Sequence, residues 1–260
     1  MTNGANVTEY AYDAGGNLTS VKLNGEVQDT YGYTDAGWKD LLTSFNGQAI
    51  TYDEIGNPLT YRDGMSFTAS MAGSWLGFTK AGTTASYSYN DSGIRTQKGG
   101  KRSHHRILSE RVDDPDPDHR DERLDFLYDD AGSLLGLKWN GTAYWYVKNL
   151  QGDIIGILDS DGTKVVNYVY DTWGQVSLGG TPWNWVALGE LNPFRYRGYY
   201  FDQESGLYYL NSRYYDPEIC RFLNADGYVD TGMGIHSQNM FVYCINNPVS
   251  LSDPSGTFPG

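Results

Sequence analysis

Short alternating runs of apolar and polar residues, separated by turn residues, fill most of the chain. Clear examples are residues 21–23, 134–139 and 164–170, which are rich in β-branched, aromatic and other apolar side chains. Such runs are typical of strands with one buried face, because successive side chains on a strand point to opposite sides. The pattern therefore predicts an all-β protein built from many short antiparallel strands.

Two-residue turn signals lie between these runs. They are Asn24-Gly25, Asn46-Gly47, Asn140-Gly141 and Asp161-Gly162. Asn-Gly and Asp-Gly favour tight hairpins because both central residues of the favoured turn need a positive φ. Each of the four sites is predicted to join two neighbouring strands.

A unit of about twenty residues also repeats along the chain. Each copy has an aromatic residue, then Asp or a near substitute, then Gly, as in Tyr12-Asp13 followed by Gly16-Asn17-Leu18. The glycines of the successive copies are Gly16, Gly37, Gly56, Gly93, Gly132, Gly152 and Gly174. Two of the gaps are about double the others, so about two copies have degenerated. A two-strand unit cannot bury its own apolar face, so consecutive units must continue one sheet or stack.

The repeat is interrupted by a charged stretch between Lys101 and Arg123, which is predicted to be an exposed loop. Three of the four histidines lie there, but their spacing matches no recognised zinc or calcium motif. The three are His104, His105 and His119. We expect no metal site and no cofactor. Residues 181–193 are predicted to be a connector with a short helix, in which Trp183 and Trp185 fill the core.

Composition and charge narrow the functional classes. The chain has 22 tyrosines and 32 glycines among 260 residues, which suits half-buried strands and tight turns. Its net charge of −13 argues against nucleic acid and anionic membranes as partners, because these are bound through clusters of Lys and Arg. No apolar run is long enough for a membrane span, and residues 1–12 lack the features of a signal peptide.

Cys220 and Cys244 are expected to be two separate buried thiols in preference to a single bridge.

A dense aromatic block with interleaved arginines runs over residues 192–226. It reads NPFRYRGYYFDQESGLYYLNSRYYDPEICRFLNAD. This block resembles the RHS repeat-associated core, whose signature runs from an aromatic-Arg-Gly-Tyr-Tyr segment through an acidic turn to Arg-Tyr-Tyr-Asp-Pro and Arg-Phe. The upstream units, from residue 9 to 176, resemble the YD repeats that precede such cores. Together the resemblance covers nearly the whole chain.

In that family the YD repeats wind into a spiral β-sheet that forms a hollow shell, and a variable toxin domain follows the core and sits inside. The resemblance implies an antiparallel β-hairpin array over residues 1–180, with a charged loop at about 100–124, and an RHS core over residues 181–260. It also implies a C-terminal effector domain in cis, an immunity protein for that effector, and a secreted or cell-surface location.

Several members of the family cleave themselves once, in cis, as aspartyl autoproteases that use two Asp-Pro-x-Gly motifs and a nearby Arg. Here the second motif is Asp253-Pro254-Ser255-Gly256, and the first falls at Asp226-Gly227. Arg221 occupies the Arg-Phe position just before it. The resemblance thus implies Asp226 and Asp253 as catalytic carboxylates, with Arg221 steadying the charge and cleavage after Gly256, around Thr257-Phe258.

The sequence departs from this pattern in three ways. The first motif lacks its Pro, the two aspartates are farther apart than usual, and Thr257 stands where Leu commonly precedes the cut. Asp-Pro-Ser-Gly is also a good turn without any catalysis, because Pro suits its second position and Gly its fourth. A purely structural turn is therefore the alternative to autoproteolysis. Tyr214-Tyr215-Asp216-Pro217 is predicted to be scaffold.

Two other functional interpretations stay open at this point. Exposed Tyr and Trp rings on sheets can stack on sugars, so the chain could be a cell-surface adhesive or carbohydrate-binding repeat protein with no catalysis. It could also be a degenerate fragment without activity of its own.

Overall fold

Short strands and tight turns make up nearly all of the computed structural model. It describes residues 2–3, 6–69, 75–91, 94–99, 101–102, 109–112, 122–227 and 239–257. The all-β, antiparallel prediction is confirmed. Among the described residues, no helix has both the length and the apolar character that a membrane crossing requires.

The chain divides into two compact units, of which the first comprises residues 1–84 and 212–260 and the second residues 85–211. The division at residue 180 that the sequence suggests stays a prediction.

The N-terminal part of the first unit contains two antiparallel meanders, in which each strand pairs with its neighbour in sequence. The first meander comprises β1 (Thr2–Asn3), β2 (Asn6–Tyr12), β3 (Leu18–Leu23), β4 (Glu26–Gly32), β5 (Ser44–Phe45) and β6 (Gln48–Ala49). The second comprises β7 (Thr51–Tyr52), β8 (Pro58–Thr60), β9 (Ser66–Ala69) and β10 (Trp75–Lys80), with a short helical turn at Arg62–Gly64.

The second unit starts at the boundary with β11 (Thr83–Tyr89), which pairs with β12 (Arg95–Lys98), which in turn pairs with β13 (Lys101–Arg102). A six-stranded meander follows, made of β14 (Ser109–Val112), β15 (Glu122–Tyr128), β16 (Leu134–Trp139), β17 (Thr142–Lys148), β18 (Ile154–Leu158) and β19 (Lys164–Asn167). The unit ends with two hairpins. The first is formed by β20 (Val169–Tyr170) and β21 (Val176–Ser177), and the second by β22 (Tyr200–Asp202) and β23 (Leu207–Tyr209).

Between these hairpins lie three short helical elements, at Trp183–Trp185, Val186–Leu191 (α1) and Tyr196–Gly198. The core of the unit is formed by buried side chains of the six-stranded meander together with Tyr168 and with Leu188 of α1. The C-terminal part of the first unit contains the hairpin β24 (Tyr214–Asp216) with β25 (Arg221–Phe222) and a turn at Cys244–Asn246.

A five-residue loop with one hydrogen-bond pattern recurs among the described residues and explains the repeating Asp and Gly. The first residue donates its N–H to the carbonyl of the fifth, and the fourth residue, a glycine, donates back to the carbonyl of the first. The side chain of the first residue accepts the N–H of the fifth, which favours Asp or Asn there. The loops are 13–17, 53–57, 129–133, 149–153, 159–163 and 171–175.

The three Asn-Gly predictions are confirmed. Asn24-Gly25, Asn46-Gly47 and Asn140-Gly141 each join two paired strands, and both residues of each pair have positive φ. Asp161-Gly162 is different, because it belongs to the five-residue loop that starts at Asp159. The predicted hairpin is present there, since β18 pairs with β19, but the side chain of Asp159 caps a five-residue loop in place of a two-residue turn.

Other local predictions need correction. The copy of the repeat around Gly37 lacks the five-residue loop, because the Asp35 carboxylate instead accepts the N–H groups of Gly37 and Trp38.

Part of the charged interruption between Lys101 and Arg123 is strand, since residues 109–112 pair with residues 122–125. An edge strand accepts charged residues, so their presence did not exclude pairing. The three histidines of that segment lie outside the described residues.

The connector prediction was half right. Residues 186–191 form the expected helix, and Trp185 packs against the core with an edge-on contact to Tyr144. Trp183, however, is 89% exposed, so it does not fill the core. Cys220 and Cys244 are both buried and form no disulfide, as the sequence indicated.

Candidate functional site

Asp253 lies at the start of the Asp-Pro-Ser-Gly turn in the first unit, and its carboxylate organises that turn. Asp253 is 1% exposed. Its Oδ1 accepts the backbone N–H of Gly256 at 2.8 Å, that of Thr257 at 3.1 Å, and the hydroxyl of Ser255 at 3.3 Å. Gly256 takes a φ of 73°, which glycine adopts without steric cost. The predicted turn is therefore present, with its carboxylate turned inward and its Pro254 exposed.

A buried arginine joins this turn to Asp226. The Nη2 atom of Arg213 lies 2.8 Å from Asp226 Oδ2 and 3.6 Å from Asp253 Oδ2, so both carboxylates meet on one guanidinium. Its Nη1 donates to the carbonyl of Met240 at 3.0 Å, and its Nε donates to the carbonyl of Gly256. A guanidinium has five N–H groups in a planar fork, which allows one side chain to serve all four acceptors.

Packing fixes the position of that guanidinium. Arg213 immediately precedes β24, and its side chain lies over the ring of Phe222 in β25, with 3.6 Å between the guanidinium carbon and the ring centre. Burial lowers the pKa of Arg213 to about 10, whereas the charges of Asp226 and Asp253 act to raise it. At neutral pH the guanidinium therefore stays charged and faces two carboxylates in a site with little water.

Ser212, which comes just before Arg213 at the start of β24, also holds the Asp-Pro-Ser-Gly turn. The backbone N–H and the hydroxyl of Ser212 both donate to the carbonyl of Ser255, at 3.2 and 2.7 Å. On the other side of the turn, the Ser255 and Thr257 hydroxyl oxygens lie 2.7 Å apart. Residues 212–213 thus hold residues 253–257 through two consecutive carbonyl groups.

Arg221, which the resemblance implied beside the aspartates, has other partners. Its Nη1 donates to the hydroxyl of Tyr33 at 2.7 Å, its Nη2 donates to the carbonyl of Asp40 at 2.6 Å, and its guanidinium lies over Phe241. The geometry brings Asp226 and Asp253 together on Arg213. A catalytic part for any of these residues, Arg221 included, stays a prediction.

Sequence reasoning missed Arg213, because it lies in the Ser-Arg-Tyr-Tyr-Asp-Pro stretch that reads as scaffold. The scaffold interpretation is right for the residues that follow it. Tyr214, Tyr215 and Asp216 are buried in β24, and the Tyr215 ring stacks on Tyr243 with 4.1 Å between ring centres. A usable signal for Arg213 was its place directly before the buried strand β24, since a charge that is buried there needs a partner.

The segment before Asp253 is anchored to the first repeat loop. Asn239 donates to the side chain of Asn17 at 2.8 Å, and Asn246 donates to the carbonyl of Gly16 at 2.8 Å. Cys244, Ile245 and Asn246 all take positive φ, between 50° and 58°. Non-glycine residues adopt this region at a steric cost, so packing on the repeat loop determines the path of the chain towards Asp253.

Comparison with known proteins agrees with the architecture. A family model described as the teneurin YD-shell matches residues 118–249, about half of the chain. The tRNA3(Ser)-specific nuclease WapA of Bacillus spizizenii is 33% identical over 261 residues, which cover 96% of this chain and 11% of WapA. Toxin protein Tse5 of Pseudomonas aeruginosa is 37% identical over 91 residues, which cover 33% of this chain and 7% of Tse5.

Among solved structures, the crystal structure of TcdB2-TccC3-Cdc42 superimposes with a TM-score of 0.75 at 21% identity. The match covers 97% of this chain and 13% of that chain, and it shows a shared fold. The chain spans about a tenth of the length of the WapA relative. With the family model, these similarities confirm the resemblance seen in the aromatic block: the chain belongs to the YD-shell family of RHS and YD-repeat proteins.

Proposed function

We propose that this chain is a shell segment of a polymorphic toxin, which encloses a C-terminal effector and cleaves itself from it after the Asp-Pro-Ser-Gly turn. Two relatives support the carrier role, because WapA is named as a nuclease and Tse5 as a toxin. Both are many times longer than the stretch that matches here. The proposal includes an immunity protein for the effector and a secreted or cell-surface location.

The observation that carries the cleavage step is the meeting of Asp226 and Asp253 on the buried guanidinium of Arg213. Two carboxylates in one site can serve as acid and base on a peptide bond, provided that they hold different protonation states. A fixed positive charge nearby stabilises the negative charge that develops on the carbonyl oxygen during hydrolysis. The turn itself places the carbonyl of Gly256 on the Arg213 guanidinium and the nitrogen of Thr257 on the Asp253 carboxylate.

Burial of the aromatic rings weighs against the adhesive alternative. Tyr208, Tyr215 and Tyr243 are fully buried, so these rings of the C-terminal region form packing contacts. A carbohydrate platform needs exposed ring faces.

Intact mass spectrometry tests the proposal. The 260-residue chain is fused at Gly260 to a folded reporter, beside its Asp226→Asn and Asp253→Asn variants and an Asp161→Asn control at an exposed loop position. We expect cleavage near Gly256 in the parent and the control, and full-length protein in the two site variants. Thermal unfolding of the fusions shows whether the variants keep their fold.

Equal processing in the parent and in Asp253→Asn would contradict the catalytic part of the proposal. Uncleaved protein in all four samples would leave a shell segment in which the Asp-Pro-Ser-Gly turn is only structural.

A further inference from the structure

Met240 joins the aspartate site to the repeats through both sides of its backbone. Its carbonyl oxygen accepts the backbone N–H of Asp226 at 2.9 Å and the Nη1–H of Arg213 at 3.0 Å. Its own N–H donates to the side-chain carboxylate of Asp40, which lies in the loop between β4 and β5. A single residue therefore contacts both the ion pair of the site and a residue of the first meander.

The two neighbours of Met240 are fixed to the same meander. Asn239 donates to the side chain of Asn17 at 2.8 Å. The ring of Phe241 contacts the ring of Trp38, with 5.6 Å between the ring centres. Contacts with the first meander on both sides therefore set the direction of the Met240 carbonyl.

Arg221 holds Asp40 in place. Its Nη2 donates to the Asp40 carbonyl at 2.6 Å, and its guanidinium carbon lies 4.9 Å from the ring centre of Phe241. Burial raises the pKa of the Asp40 carboxyl, whereas the charge of Arg221 and the hydrogen bond from Met240 act to lower that pKa. Arg221 therefore favours the charged form of the carboxylate that holds Met240.

We infer that Asp40 is a positioning residue for self-cleavage, which acts through the backbone of Met240. Arg221 supports this part by holding Asp40. Asp226 and Asp253 stay the two carboxylates that act on the peptide bond. Because a displacement of reacting groups by about 1 Å can slow a reaction about 100-fold, a residue that fixes the place of Asp226 affects the rate. This inference rests on the proposed self-cleavage and adds to it the residues that position the site.

This arrangement makes self-cleavage depend on the repeats. Asp40 and Asn17 belong to the first meander, whereas Met240 lies in the C-terminal part of the first unit. The site is therefore complete only when the first meander has folded against residues 239–241. An effector that follows the turn would stay attached until this contact has formed.

Substitutions of Asp40 in the reporter fusion test the inference. Asp40→Asn keeps an oxygen that can accept the Met240 N–H, whereas Asp40→Ala removes it. We expect Asp40→Asn to cleave within about tenfold of the parental rate and Asp40→Ala to cleave about 100-fold more slowly. Asp226→Asn should not cleave, because an amide cannot replace a carboxyl group in acid–base catalysis. Time courses of intact mass after cell-free synthesis give the rates.

Asp35→Ala is the matched control, because the Asp35 carboxylate holds the same loop through the N–H groups of Gly37 and Trp38. This variant should cleave at the parental rate. Asn239→Ala removes the bond to Asn17 and should slow cleavage, since it loosens the other neighbour of Met240. Thermal unfolding reports the folded fraction of each fusion, and Asn239→Ala decides the question where Asp40→Ala does not fold.

Parental rates in folded Asp40→Ala and Asn239→Ala, or an equal slowing by Asp35→Ala, would overturn this inference and leave self-cleavage standing. An Asp40→Asn variant as inactive as Asp226→Asn, at the same folded fraction, would also overturn it, because Asp40 would then act as a carboxyl group in the reaction. An uncleaved parent would instead remove the proposed self-cleavage and this inference with it.

Discussion

Arg62 and Asp216 form a buried ion pair although they are 154 positions apart in sequence. Arg62 Nε donates to Asp216 Oδ2 at 2.7 Å and Nη2 donates to Oδ1 at 3.1 Å. The two side chains are 4% and 0% exposed. Within the first unit, this pair fastens the β24 hairpin, and with it Arg213, to the turn that follows β8.

Removal of the acidic partner should therefore destabilise the first unit strongly. Asp216→Asn leaves the buried guanidinium without its main counter-charge, and we expect a loss of about 3–5 kcal/mol in the free energy of unfolding. Asp63→Asn is the matched control, because Asp63 contacts the same guanidinium from a position that is 45% exposed. Its loss should stay below about 1 kcal/mol. Denaturant unfolding measures both, and similar losses would contradict the importance of burial here.

Acid should weaken the second unit through Asp202. Burial alone would raise the pKa of Asp202, but the charges of Arg95 and Lys98 outweigh it and lower that pKa below the usual value. The two cations lie 2.6 and 2.7 Å from the carboxylate oxygens. The unfolded chain therefore takes up this proton at a higher pH than the folded chain does.

The stability that Asp202 contributes is complete above its usual pKa of 3.8 and is lost as the pH falls through the lower folded value. Asp202→Asn should be less stable at neutral pH, and its unfolding free energy should fall less steeply below pH 3.8. Denaturant unfolding across this range gives the slopes. Asp161→Asn, at an exposed loop position, should keep the parental slope, and an equally steep curve for Asp202→Asn would count against the ion pair as the cause.

Two glycines separate the cost of backbone conformation from the cost of a clash. Gly141 has a φ of 87° and open space where a Cβ would be, whereas Gly174 has a φ of 91° and a Cβ there would lie 2.6 Å from the ring of Tyr196. Gly141→Ala should cost about 1 kcal/mol for the left-handed conformation. Gly174→Ala should cost about 1–3 kcal/mol more, because the ring must move. Thermal or denaturant unfolding gives the difference. Equal losses of unfolding free energy in the two variants would show that the Tyr196 ring moves aside without cost.

The arginine that supports self-cleavage can be identified by paired substitutions. A lysine at position 213 keeps a positive charge but cannot serve Gly256, Asp226 and Met240 together, because it lacks the planar fork. We expect Arg213→Lys to slow cleavage of the reporter fusion by roughly 100-fold or more. Arg221→Lys tests the residue that the resemblance implied. A larger loss of cleavage for Arg221→Lys, at equal folded fraction, would contradict the assignment to Arg213.

Local geometry could be predicted because its causes are local. Asn24-Gly25 and Asn140-Gly141 determine their hairpins through the φ values that those residues tolerate. The Asp and Gly of each repeat determine a loop whose hydrogen bonds stay within five residues, as at 13–17. The sequence by itself therefore determined the all-β class, most of the hairpins and the Asp-Pro-Ser-Gly turn at Asp253.

Tertiary structure decided which distant charges meet. Arg213 reaches Gly256 across 43 positions, and Arg62 reaches Asp216 across 154, so neither partner can be identified from neighbouring residues. A buried arginine must find a counter-charge, but the fold chooses which one. For the same reason Arg221 contacts Tyr33 and the Asp40 carbonyl, and Trp183 faces solvent while Trp185 packs. Turn conformation depends on the residues of the turn, whereas ion pairing depends on where packing places whole strands.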